Sequence, residues 1–150
     1  MSIMSDIFSK NMKQPKVIEV SNSDKRLHGN DSWIDYQTGI IYTKKSQSKI
    51  QKVAGVAHEK CHIACRSIKR NSHIQFNKSV TKELQTFPLY KEMKRNDYNK
   101  ERLPEETFCE TYAVVKSGII SKKRYDNMQN KYPKTYNAFN KTMKRLNLRL

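Results

Sequence analysis

Ser48-Lys49-Ile50-Gln51-Lys52-Val53-Ala54-Gly55-Val56-Ala57-His58-Glu59-Lys60-Cys61-His62-Ile63-Ala64-Cys65 is the stretch on which the reading of this chain turns. Ser48 followed three residues later by Gln51 is a capping box, the pattern that satisfies the free N–H groups at the start of a helix. Beyond it Ile50, Val53, Ala54, Ala57, Cys61, Ala64 and Cys65 recur at helical spacing, so the stretch is expected to form an apolar-faced helix. On such a helix His58 and His62 lie about 40° apart around the axis, and both imidazoles can reach one tetrahedral zinc ion. Glu59 then projects from the flank toward the open coordination position, where it can act as base on water. The competing reading is two surface histidines beside a Glu59–Lys60 pair, and a third ligand elsewhere in the chain would decide between them.

Upstream of this helix the sequence is β-like. Val17-Ile18-Glu19-Val20 is a strand candidate after Pro15, and Ile3, Ile7 and Phe8 suggest a short helix before it. Trp33-Ile34-Asp35-Tyr36 and Ile40-Ile41-Tyr42-Thr43, separated by a turn ending at Gly39, read as a hairpin. An edge strand of that small sheet could hold an extended peptide by backbone pairing. Downstream, Val80, Leu84, Phe87 and Met93 mark an amphipathic segment that Pro88 should interrupt or restart. Another helix should open at Leu103-Pro104-Glu105-Glu106, with acids at its positive end, and close near Gly118. Helices over about 121–132 and 133–147 should end the chain, the last carrying Tyr136, Phe139, Met143 and Leu146 on one face. The expected class is therefore α+β: a small N-terminal β-sheet, then the helix that carries His58 and His62, then a mostly helical C-terminal part. Residues 1–24 read as an N-terminal extension with a strand and 25–150 as a single domain.

The 150 residues suit one domain, and a hydrophobic fraction of 36% is low but adequate for one core. The formal charge of +16 arises from dispersed lysines rather than one arginine block, so a generally cationic surface is the simple expectation. The charge leaves room for an acidic partner or nucleic acid, bound in a salt-sensitive way. Cys61, Cys65 and Cys109 give an odd count with no disulfide framework, which favours a reducing compartment. Cys61 and Cys65 are spaced one turn apart on the zinc helix, and packing as small buried residues is preferred over a thiol ligand. No secretory signal and no membrane-spanning run is evident, so the expectation is a cytoplasmic monomer, or one exported without a recognisable signal peptide.

A catalytic zinc needs a third protein ligand. The metzincin extension is excluded, since Cys65 and Ile68 stand where it requires Gly and His. His73 lies too far along the same element unless the helix breaks near Asn71. Glu106 and Glu110 share one face of the later helix, flanked by Phe108, Cys109 and Ala113. One of these carboxylates can bind zinc while the other accepts the second ring N–H of a liganding histidine.

The segment Glu106-Thr107-Phe108-Cys109-Glu110-Thr111-Tyr112-Ala113 resembles the Glu-x-Phe-Ala-Glu-x-Phe pattern of the gluzincin metallopeptidases related to the catalytic domain of anthrax lethal factor, at a similar distance from the H-E-x-x-H motif. Tyr132-Pro133-Lys134-Thr135-Tyr136 resembles the segment that opens the family's terminal helix, and Phe87-Pro88-Leu89-Tyr90 falls where it has another helix. The likeness spans roughly 27–146 and implies a zincin-like fold, with 25–150 as a single metallopeptidase domain. It implies His58, His62 and Glu106 as zinc ligands, Glu59 as general base and Glu110 as a partner of a liganding histidine. A family tyrosine that stabilises the oxyanion is matched by Tyr98, offset by about one residue, with Tyr90 as the alternative. The chain departs from the family at Lys60-Cys61, where an aromatic or aliphatic residue and Gly are usual, and at Cys109, where Ala is usual.

The resulting expectation is a zinc metalloendopeptidase acting on a protein or peptide whose identity the sequence does not reveal. The alternative is a zinc-stabilised module that uses its basic surface on nucleic acid or an acidic protein, with little or no peptidase activity.

Overall fold

The computed structural model describes residues 15–67, 77–96 and 98–150. The helix expected around Ile3 to Phe8, and His73, lie outside these. Three strands come first, β1 (Val17–Val20), β2 (Ser32–Asp35) and β3 (Ile40–Lys44). Six α-helices follow among the described residues: α1 (Lys49–Ser67), α2 (Lys78–Leu84), α3 (Pro88–Arg95), α4 (Leu103–Lys116), α5 (Lys122–Lys131) and α6 (Pro133–Arg145). The α+β class is as expected from the sequence. Among the described residues no helix is long and apolar enough to cross a membrane.

The sheet order is β1-β3-β2, with β1 parallel and β2 antiparallel to β3. Trp33 pairs with Tyr42 and Ile34 with Ile41, which fixes the hairpin register. Its turn closes where Gly39, at φ 71°, donates to the Asp35 carbonyl at 2.7 Å. That left-handed conformation is open to glycine without steric cost. The order leaves β2 on an edge, and α1 packs across β2 and β3.

The capping box forms as read: Gln51 N–H donates to Ser48 Oγ at 3.3 Å, and Ser48 N–H to Gln51 Oε1 at 3.0 Å. Two sides of α1 are buried. Ile63 meets Ile34 and Ile41 of the sheet, whereas Ala57, Cys61, Ala64 and Cys65 enter the main core against α4. Ile50 and Val53 continue the same spacing but remain 46% exposed. The first turns of α1 extend beyond what the sheet and α4 cover, so helical periodicity overstates the buried face there.

Gly55 of α1 lies against Ser32 of β2. A Cβ on it would stand 3.1 Å from Ser32 Oγ, tighter than an ordinary van der Waals contact. Glycine thus lets Ser32 sit one helical turn before Glu59.

Helix α4 runs through the centre, with most of its residues buried. Its two interior threonines are satisfied along the helix itself, Thr107 donating to the Leu103 carbonyl at 2.6 Å and Thr111 to that of Thr107 at 2.7 Å. Pro88 divides the preceding helical segment into α2 and α3, since proline has no N–H to continue the ladder. Phe139 of α6 packs edge-on to Phe87 and Phe108, at centroid distances of 5.9 and 5.4 Å. The core is thereby built around α4, and α4 is held in fixed register against α1.

Candidate metal centre

Helical spacing brings His58 and His62 to one face of α1, and α4 presents Glu106 opposite them. His58 Nε2 and His62 Nε2 are 3.0 Å apart, and Glu106 Oε2 lies 3.1 Å from the first and 3.2 Å from the second. The remaining ring nitrogens are also engaged. His58 Nδ1 is 2.8 Å from Glu110 Oε2, and His62 Nδ1 is 2.8 Å from Glu105 Oε1. A carboxylate has no proton to give, so each Nδ1 must be the N–H that donates. Both Nε2 lone pairs therefore point, with the Glu106 oxygen, into one small space. Three acceptors that close repel one another unless a proton or a cation lies between them.

This triangle fits a metal ion. Donors about 2.0–2.1 Å from a tetrahedral zinc lie about 3.3–3.4 Å apart, within a few tenths of an ångström of the separations present here. His62 and Glu106 are buried and His58 is nearly so, leaving the donors one open side toward the cleft. The group His58, His62 and Glu106 could thus hold a metal ion, and its two imidazoles and one carboxylate are a donor set suited to zinc.

Without a metal, protons take that place. Burial disfavours the charged form of His58, but its hydrogen bonds with Glu106 and Glu110 outweigh this and push it up to about 10. His62 is raised in the same way by Glu105 and Glu106 against the cost of burial. Burial would raise the Glu106 carboxyl, yet both histidines hold it well below the usual carboxylate range. Zinc must therefore displace protons, and its affinity should climb with pH by roughly tenfold per unit for each proton released. Competition against a chelator of known affinity between pH 6 and 8 measures this, and a flat profile would contradict the proton-loaded site. In the metal-free chain the raised His58 contributes stability that is complete below its unfolded value near 6.5 and is lost as pH rises toward 10. Thermal melts of stripped protein should accordingly weaken over that range.

Glu59 stands beside the triangle without joining it. Ser32 Oγ lies 3.4 Å from Glu59 Oε1 and donates to it. Arg102 Nη2 approaches the second oxygen of Glu106 at 3.4 Å. A cleft of about 620 Å³ opens over these groups, lined among others by Ser32, Trp33, Tyr36, Glu59, Tyr98 and Arg102. Tyr98 is half-buried there, its hydroxyl pushed up by burial and by the charges of Glu106, Glu110 and Glu59. Tyr90 is in the main core and does not line this cleft.

The six residues singled out from sequence, His58, Glu59, His62, Tyr98, Glu106 and Glu110, all line this one cleft. Three others escaped that reading. Glu105 was assigned only to the helix dipole, although its proximity to Glu106 puts it within reach of the second histidine. Ser32 carried no signal of its own, and Tyr36 was read only as a strand residue. If Glu105 and Glu110 orient the imidazoles, Glu105→Ala and Glu110→Ala should each weaken zinc binding by about 10–100-fold. Equal affinity of Glu105→Ala and the unsubstituted chain would remove Glu105 from that role.

No protein-family model, no curated protein and no solved structure matches the chain, so the chemistry of this centre is argued from its own atoms.

Proposed function

We propose that this chain is a zinc-dependent metalloendopeptidase in which His58, His62 and Glu106 hold the metal and Glu59 is the general base. The observation that carries the reading is the convergence of two Nε2 lone pairs and a Glu106 oxygen, at 3.0–3.2 Å from one another, beside a carboxylate that is not part of the triangle. The sequence likeness to gluzincins related to lethal factor supports the same assignment. Bound zinc supplies a Lewis acid that polarises the scissile carbonyl and acidifies water. Glu59 removes the proton from the attacking water and passes it to the leaving amine. Ser32, donating to Oε1, limits the orientations open to that carboxylate. Tyr98, which lines the same cleft, directs its hydroxyl at the oxyanion as it develops. Glu110 and Glu105 fix both imidazoles as Nδ1–H tautomers, leaving Nε2 for the metal. Among the described residues β2 is an edge strand that borders the cleft, and it suits an extended peptide paired through its backbone.

A proteome-derived peptide library, digested with zinc-loaded and with chelator-stripped protein and read by mass spectrometry, tests the proposal. New termini should appear only with the loaded protein and should share a sequence pattern around the cut. An intact library after incubation with fully zinc-loaded, folded protein would overturn the peptidase reading. The +16 charge supports the second reading, a basic binding module. In that case nucleic-acid affinity would fall steeply with salt and would be the same in Glu59→Gln.

A further inference from the structure

We propose that Cys61, Cys65 and Cys109 form a second metal site, distinct from the His/Glu centre, that takes a thiophilic monovalent cation of the Cu(I) kind. Helix α1 supplies Cys61 and Cys65 one turn apart, and α4 supplies Cys109 against them. The three Sγ atoms all lie within 4.8 Å of one another. Their residues are 0, 3 and 0% exposed, and all three thiols are free.

Small apolar volume explains a cysteine at any one of these positions, as Ala57, Ala64 and Ala113 show in the same core. It does not require three sulfurs from two helices to meet. Soft thiolates select Cu(I), zinc or iron–sulfur clusters. Structural zinc sites and iron–sulfur clusters are closed by four protein ligands, and a three-ligand zinc site keeps its fourth position open to water, whereas these cysteines are 0–3% exposed. Among the described residues, His62 and Glu105 are candidates for a fourth, with ligand atoms within 4.8 Å of that of Cys109. Those two are already bonded to each other at 2.8 Å, and His62 turns its other nitrogen to the neighbouring centre. Three sulfurs alone suit the three-coordinate preference of Cu(I).

The dimensions agree. With a metal–sulfur bond of about 2.3 Å, the zinc–thiolate value, three sulfurs in a plane around a cation lie about 4 Å apart. The cluster would close by under about 1 Å to reach that. Thiol protons would leave to solvent as the cation enters. A cation here would tie α1 to α4, the two helices that also carry His58, His62 and Glu106, and so raise the melting temperature of the loaded chain.

The test is an anaerobic titration of the reduced, zinc-loaded full chain with Cu(I) as its acetonitrile complex, in competition with a chromophoric Cu(I) chelator. One equivalent should be retained with zinc content unchanged, accompanied by a near-ultraviolet thiolate-to-copper band. Cys65→Ser and Cys109→Ser should each lower the affinity at least tenfold, while His58→Ala should keep the full equivalent. The site is overturned by any one of three results: folded wild type retains no Cu(I), copper displaces zinc mole for mole, or Cys109→Ser binds as tightly as wild type. Should either serine variant fail to fold, the wild-type stoichiometry and the His58→Ala result decide.

Discussion

Glu59→Gln should lower the turnover of any peptide this chain cleaves by roughly 10²–10⁴-fold, the range that a positioned general base contributes. The substitution preserves shape and leaves an oxygen to accept from Ser32, which lies 3.4 Å from Glu59 Oε1. What it removes is the capacity to take a proton from water and return it to the leaving amine. Glu59 is not one of the three converging donors, which are His58, His62 and Glu106. Zinc content should therefore remain stoichiometric in the variant, and its KM should be near that of the unsubstituted chain. Turnover of one peptide from the library digestion, measured beside elemental analysis, reads both quantities. Undiminished cleavage by Glu59→Gln would sink the mechanism, and loss of zinc would show that Glu59 acts on the metal site instead.

Local signals in the sequence carried most of the fold because their partners lie within a few residues. Ser48 and Gln51 cap α1 as their spacing implies, Pro88 ends one helix and begins the next, and Gly39 closes the hairpin. His58 with His62, and Glu106 with Glu110, were legible for the same reason, since residues four apart share a helix face. The likeness to a known motif supplied the choice of Glu106 over Glu110 as the candidate ligand. Contacts between distant segments were not legible. Cys109 meets Cys61 and Cys65 across the α1–α4 interface, and neither segment's periodicity specifies that register. Ser32 reaches Glu59 only because Gly55 allows β2 to lie close on α1. A glycine in the middle of an otherwise good helix was the one clue to that approach. Ile50 and Val53 show the reverse failure, in which a pattern extends beyond the surface that could bury it.

The second large effect concerns the metal itself. Glu106→Ala should weaken zinc binding by about 10²–10³-fold, because free energies of about 10–16 kcal/mol shared among the ligands of a protein zinc site put one ligand near 3–4 kcal/mol. This exceeds the effect expected for Glu105 or Glu110, which act on the metal only through an imidazole. Glu106 has two other tasks that the substitution also removes. It accepts from both histidines, and it partners Arg102 at 3.4 Å. Without that buried carboxylate, His58 loses a principal cause of its upward shift and the metal-free chain holds its proton less tightly. The Glu106→Ala chain should therefore be less stable than the parent when both are stripped of metal near neutral pH. Its remaining zinc affinity should also depend less steeply on pH. Chelator competition at two pH values separates these consequences, with circular dichroism confirming that the variant is folded. Zinc bound stoichiometrically and with parental affinity would remove Glu106 from the ligand set, and the centre would have to be rebuilt around another third donor.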